Sequence, residues 1–140
     1  MTLLHERIEK NSKPRILIVE DEPFIALALE ETLEELGFEI VASISHIADA
    51  LAFLKREKVD IALLDVNIGL NKIDPVADAL VALNCPFIFT TGYGRSGLPA
   101  AHAHRAVLEK PFRADDLVDT VRAELERPSQ NLHAVKERAG

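Results

Sequence analysis

Short apolar runs of strand length recur along the chain at residues 16–19, 40–44, 61–64, 86–91 and 106–109, and segments with helical periodicity lie between them. The first helix is expected to begin at Pro23, which suits a first-turn position, and to stop before Gly37, with Leu27, Leu29, Leu33 and Leu36 as its apolar stripe. Further helices are expected over about 47–57, about 75–83 with Pro75 at the start, and about 96–104. The last helix is the clearest: "RADDLVDTVRAELE" sets Leu117, Val118, Val121 and Leu125 at helical spacing, with acids in the first turn where the helix dipole favours them. Five alternations of strand and helix predict an α/β chain, a three-layer (βα)5 sandwich with a parallel five-stranded sheet covered on both faces. Right-handed crossovers leave few topologies, and the flavodoxin-like strand order 2-1-3-4-5 is the expectation.

Length and composition narrow the class. The chain's 140 residues suit one domain, with residues 1–13 and 127–140 reading as tails around a unit at 14–126. Its longest apolar run, "FIALAL" at 24–29, falls far short of the ~20 residues of a membrane span. The N-terminal "MTLLHERIEKNSKPR" lacks the apolar stretch of a secretory leader, so a cytoplasmic location is expected. A net charge of -7 argues against nucleic acid as a direct partner. The one basic cluster, Lys55, Arg56 and Lys58, is interrupted by Glu57 and reads as a solvated helix end. Cys85 stands alone and is expected to be buried and reduced, which excludes an intrachain disulfide and argues against a structural zinc site. No partner is evident for His5, His46 or His133, and His102 and His104 are expected in a solvated connection.

Candidate chemistry collects at strand ends. "ILIVEDEP" runs a buried strand into Glu20 and Asp21, and "IALLDVNIG" runs another into Asp65. In the expected strand order these two strands are neighbours, and ligands of open α/β sheets bind outside the carboxyl ends of strands where the order reverses. Three carboxylates so placed repel one another and must either hold a proton or accept a cation. A hard divalent ion such as Mg²⁺, or Mn²⁺ in its place, fits oxygen donors of this kind. The fourth strand ends in Thr90, Thr91 and Gly92, a hydroxyl followed by a sterically open backbone N–H, and the fifth ends in Lys110 and Pro111, an ammonium suited to a phosphoryl oxygen. Taken singly each motif has a plainer reading: Glu20 to Glu22 as acids at a helix start, and Asp65 as a turn residue. Together, at four strand ends in the order of one fold, they point to phosphoryl transfer.

The set "LIVEDE", "LLDVN", "TTG" and "LEKPF" closely resembles the receiver domain of two-component response regulators. The resemblance implies that Asp65 is the phosphoacceptor, Asp21 a direct metal ligand and Glu20 a second acid, with Asn67 lending its backbone carbonyl to the metal. It further implies that Thr91 is the switch hydroxyl, that Lys110 pairs with the phosphoryl group, and that the Lys110–Pro111 bond is cis. Two features depart from the common pattern. Val107 stands where many receivers carry an aromatic switch residue, and Gly69 and Ile73 stand where a Pro and a Gly are usual. "FTTGYG" and the stretch "DVNIGLNKIDPVADAL" are instead similar to the mostly single-domain Phe-Ala-Thr-Gly-Tyr subgroup of alphaproteobacteria, whose members commonly work with histidine kinases of the His-Trp-Glu class and related types. For Tyr93, two residues past Thr91, two readings stand open: a ring that lies over the pocket and moves on activation, or a surface tyrosine that packs on the next helix.

The implied function is a stand-alone receiver that signals to an unidentified downstream protein through protein–protein contacts. Its responsive surface is expected around the fourth helix, fifth strand and fifth helix. Three other readings share parts of the pattern. A phosphate sink for a shared kinase would hydrolyse quickly and have no phosphorylation-dependent partner. A pseudo-receiver would bind without phosphate, against which Asp65, Asp21 and Lys110 weigh. An aspartate-nucleophile phosphohydrolase would need a second Asp where Asn67 stands.

Overall fold

The computed structural model describes residues 13–127 except Leu70 and Tyr93. In chain order its first half contains β1 (Arg15–Val19), α1 (Pro23–Glu35), β2 (Glu39–Ile44), α2 (Ile47–Arg56) and β3 (Ile61–Asp65). The second half contains β4 (Asn67–Ile68), β5 (Asn71–Lys72), α3 (Asp74–Ala82), β6 (Phe87–Thr91), β7 (Ala106–Glu109) and α4 (Ala114–Glu126). The five long strands pair in parallel in the order β2-β1-β3-β6-β7, the flavodoxin-like arrangement expected. β4 and β5 form a separate antiparallel hairpin that the apolar pattern did not foretell, because two-residue strands carry no period.

β3 and β6 are buried at every position, which is why both read as nearly unbroken apolar runs. Alternate side chains go to opposite faces. Leu17, Val19, Leu64, Phe87 and Phe89 pack with Ala50, Phe53, Leu54, Val76, Ala77 and Leu80 of α2 and α3. Ile16, Ile18, Leu63, Ile88 and Leu108 pack with Leu29 and Leu33 of α1 and Leu117, Val118 and Val121 of α4.

Several sequence expectations change. The inner face of α1 is Ala26, Leu29 and Leu33, while Leu27 and Leu36 are 50% and 38% exposed. At 100° per residue Leu27 lies about 200° from Leu29, so the two cannot share a face. The helix expected over 96–104 is instead two short 3₁₀ turns, Gly94–Gly97 and Ala100–His102. Pro99 lacks an amide hydrogen and glycines stand at 94 and 97, each of which works against a continuous α-helix. His102 is not solvated but 6% exposed.

Other expectations stand, save those for Cys85 and His46. α1 starts at Pro23, and its end is closed by Gly37 at φ +96°, which lets the Gly37 and Phe38 amides bond back to Glu34 and Leu33 at 3.1 and 3.0 Å. Lys55, Arg56 and Lys58 are exposed at the end of α2. Cys85 is half-buried; its thiol lies 3.4 Å from the Val59 carbonyl, and burial together with the Asp60 charge pushes it up to about 12. His46 does have a partner, the Ser45 hydroxyl at 3.0 Å. His5, His133, both tails and the proposed placement of Tyr93 lie outside the described residues. No helix among the described residues is long and apolar enough to cross a membrane.

Candidate functional site

Glu20 and Asp21 follow β1 directly, and Asp65 is the last residue of β3, its neighbour in the sheet. Each chain leaves the core at these carboxylates, so strand register alone brings them together. One oxygen from each of Glu20, Asp21 and Asp65 lies within 4.8 Å of the others. Glu20 is 3% and Asp65 7% exposed, and Asp21 is half-buried.

The environment of each carboxylate differs. Glu20 Oε2 accepts the Glu22 backbone N–H at 3.0 Å, and Oε1 lies 2.9 Å from the Lys110 ammonium. Asp65 Oδ1 accepts the Asn67 backbone N–H at 3.2 Å, and Oδ2 lies 3.3 Å from Lys110. Asp21 Oδ2 accepts the Gly69 backbone N–H at 2.7 Å, which ties the β4–β5 hairpin to the acidic cluster. Gly69 has φ +61°, a turn conformation that L side chains rarely adopt. A cleft of about 790 Å³ opens beside Asp21, between this hairpin and the start of α2.

One ammonium faces three carboxylates. Burial pushes the Glu20 carboxyl up to about 7; the Asp65 charge pushes the same way, and Lys110 and the Glu22 amide only partly oppose it. Burial by itself would lower the Lys110 pKa, but the hydrogen bond to Glu20 and the charges of Asp65 and Glu20 raise it overall. The cluster thus carries excess negative charge on hard oxygen donors, and a divalent cation fits that donor set.

The other sequence-predicted residues fall on the same edge. Thr91 ends β6 and is fully buried; its carbonyl accepts the Lys110 N–H at 2.8 Å, joining the ends of β6 and β7. Gly92 follows it and is exposed. The Lys110–Pro111 bond is cis, as expected. Asn67 opens the hairpin and is exposed. Val107 sits within β7 opposite Phe89 and is partly buried against the core on the α2 and α3 side.

Sequence reasoning missed two features around this site. One is the hairpin and its Gly69 bond; the "NIGLN" stretch, a glycine midway between two asparagines, was the available signal. The other is His102, whose Nε2 lies 2.8 Å from Asp78 Oδ1 on α3. No periodicity could have paired residues 24 apart across a non-helical segment.

Comparison with known proteins agrees with this geometry. Residues 16–122 match the family described as the response regulator receiver domain. The phyllosphere-induced regulator PhyR of Methylorubrum extorquens is 35% identical over 105 residues, covering 70% of this chain and 38% of PhyR. The transcriptional regulatory protein PdtaR of Mycobacterium tuberculosis is 28% identical over 120 residues, covering 81% of this chain and 57% of PdtaR. The chain therefore spans little more than half of PdtaR and well under half of PhyR. SdrG of Sphingomonas melonis Fr1, solved in solution, superposes with a TM-score of 0.73 at 42% identity, covering 81% of this chain and 97% of that one. With an acidic cluster, a lysine and a hydroxyl gathered at the strand ends and a family match over most of its length, this chain belongs to the receiver domain family of two-component response regulators.

Proposed function

We propose that Asp65 accepts a phosphoryl group from a sensor histidine kinase of the His-Trp-Glu class or a related type. The observation that carries this reading is the placement of Asp65: a carboxylate at the end of a buried strand, 3.3 Å from the Lys110 ammonium and within 4.8 Å of two further acids. An Asp65 oxygen attacks phosphorus, the bond from phosphorus to the donor imidazole nitrogen breaks, and the imidazole leaves with the electron pair. Lys110 is the cation that pairs with a phosphoryl oxygen, and the Thr91 hydroxyl and Gly92 amide hold the others. Such a reaction needs little covalent assistance; it needs charge placed correctly before the donor arrives.

Receiver domains generally bind Mg²⁺ at an acidic site, and this cluster suits one. Glu20, Asp21, Asp65 and the Asn67 backbone carbonyl would hold Mg²⁺ or Mn²⁺ here. When bound, the ion neutralises charge on the carboxylates and on the entering phosphoryl oxygens. Phosphorylation then biases a surface near the 94–102 turns, β7 and α4, and output is by contact with a downstream protein.

The test is phosphotransfer from an autophosphorylated kinase of that class carrying a radiolabelled phosphoryl group. Label is expected to leave the kinase and appear on the wild type but not on Asp65→Asn. Label retained on every kinase of a broad panel, with wild type present, would overturn the reading and favour a receiver that binds without phosphate.

A further inference from the structure

The segment between β6 and β7 has only two 3₁₀ turns, so few backbone hydrogen bonds of its own fix its position. Its placement depends on side-chain fastenings. Arg95 Nη1 donates to the carbonyls of Ala103 and Arg105 at 3.0 and 3.2 Å, which closes the segment on itself. Leu98 packs against the core on the α2 and α3 side. Arg105, just past the second turn, lies over the Phe87 ring at 4.6 Å, and His102 adds a polar fastening to α3. Its ring stands edge-on to Phe87 with centroids 5.8 Å apart and is tilted against Phe89 at 6.3 Å. Its Nε2 meets Asp78 of α3 at 2.8 Å.

A buried imidazole loses hydration, and the Asp78 carboxylate compensates with a charge-assisted hydrogen bond. An ionised carboxylate only accepts, so Nε2 carries the proton. Asp78 itself is exposed, its side chain 67% accessible, so its contribution here is the bond rather than packing.

What the fastening holds in place is next to the site. A Cβ added at Gly97 would lie 3.8 Å from Thr91 Oγ1 and 4.0 Å from Val66 Cγ2. The first turn therefore meets the Thr91 hydroxyl at its Gly97 end, and Thr91 is fully buried.

We propose that His102 and Asp78 are positioning residues that hold the Gly94–Gly97 turn against Thr91 and so shield the phosphorylated form from water. The shielding part rests on Asp65 being the phosphoacceptor. In the reaction it opposes, a water oxygen attacks phosphorus, the bond from phosphorus to the Asp65 oxygen breaks, inorganic phosphate leaves and the carboxylate is regenerated.

Asp78→Ala removes the bond at an exposed position and leaves the core untouched. In amide hydrogen exchange, the Leu98 and His102 amides, which bond to Arg95 and Pro99 carbonyls at 3.1 and 2.9 Å, are expected to exchange about tenfold faster or more. The Phe89 amide in β6 should be unchanged, which separates local release from general destabilisation. Asp78→Asn, which keeps an oxygen acceptor, should hold the protection near wild type. The lifetime of the phosphorylated protein should fall severalfold in Asp78→Ala and in His102→Gln. Unchanged exchange at Leu98 and His102 in Asp78→Ala overturns the proposal, and loosened amides with an unchanged lifetime overturn the shielding. If wild type takes no phosphoryl group, the Asp65 reading and the shielding fail together, and the exchange result still decides the fastening.

Discussion

Gly69 donates its backbone N–H to Asp21 Oδ2 at 2.7 Å, so the β4–β5 hairpin is fastened to one of the three acids that would hold a divalent ion. The bond exists because Gly69 adopts φ +61°, and an added Cβ would come within 4.0 Å of that same oxygen. Gly69→Val is predicted to cost about 1–2 kcal/mol through backbone strain and to weaken the response to Mg²⁺. Thermal melts with and without Mg²⁺ check both parts: the Mg²⁺-induced rise in Tm should be smaller in the variant. An equal rise would show that the hairpin does not set the geometry of Asp21.

The acidic cluster should be a stability liability in the absence of a cation. Asp65→Asn keeps an oxygen for the Asn67 amide, leaves Glu20 paired with Lys110 and removes one of three crowded charges. In chelator at neutral pH the variant is predicted to gain on the order of 1 kcal/mol in urea denaturation. A loss of stability would mean that the Asp65–Lys110 pair outweighs repulsion among the acids.

Cys85 supplies a pH dependence with a definite sign. Its thiol rises from the ordinary 9.0 to about 12 on folding, chiefly through burial. The folded protein therefore keeps a proton that the unfolded chain releases, and stability is fully present below pH 9 and lost as pH rises from there toward 12. Urea midpoints between pH 8 and pH 11 should fall less steeply in Cys85→Ala than in wild type. Native Cys85 should also alkylate slowly at pH 8, since the thiolate is the reactive form.

The two faces of α1 offer a direct check on packing. Leu33 is fully buried and Leu27 is 50% exposed. Leu33→Ala is predicted to cost about 2–5 kcal/mol and Leu27→Ala less than about 0.5 kcal/mol, measured by chemical denaturation. Similar losses at both positions would contradict the assigned face.

How much of this was legible in the sequence follows from how far each signal reaches. β3 and β6 were plain because strands buried on both sides are apolar throughout, and once their order was inferred Glu20, Asp21, Asp65, Thr91 and Lys110 had to share an edge. Leu27 misled because leucine density was read in place of angular position, and Leu36 because α1 ends at Glu35 and leaves Leu36 as its C-cap. The 94–102 segment misled because its alanines suggest helix while Gly97 and Pro99 forbid a long one. His102 and Asp78 were illegible: their pairing depends on how a turn without regular structure lies against α3, which no local pattern encodes.

The measurement that tests the central claim most directly is the intact mass of the protein after incubation with a small-molecule phosphodonor and Mg²⁺, compared between wild type and Asp65→Asn. The account predicts one phosphoryl increment that requires the divalent ion and vanishes in the variant. An increment that persists in Asp65→Asn, or one indifferent to Mg²⁺, would contradict it.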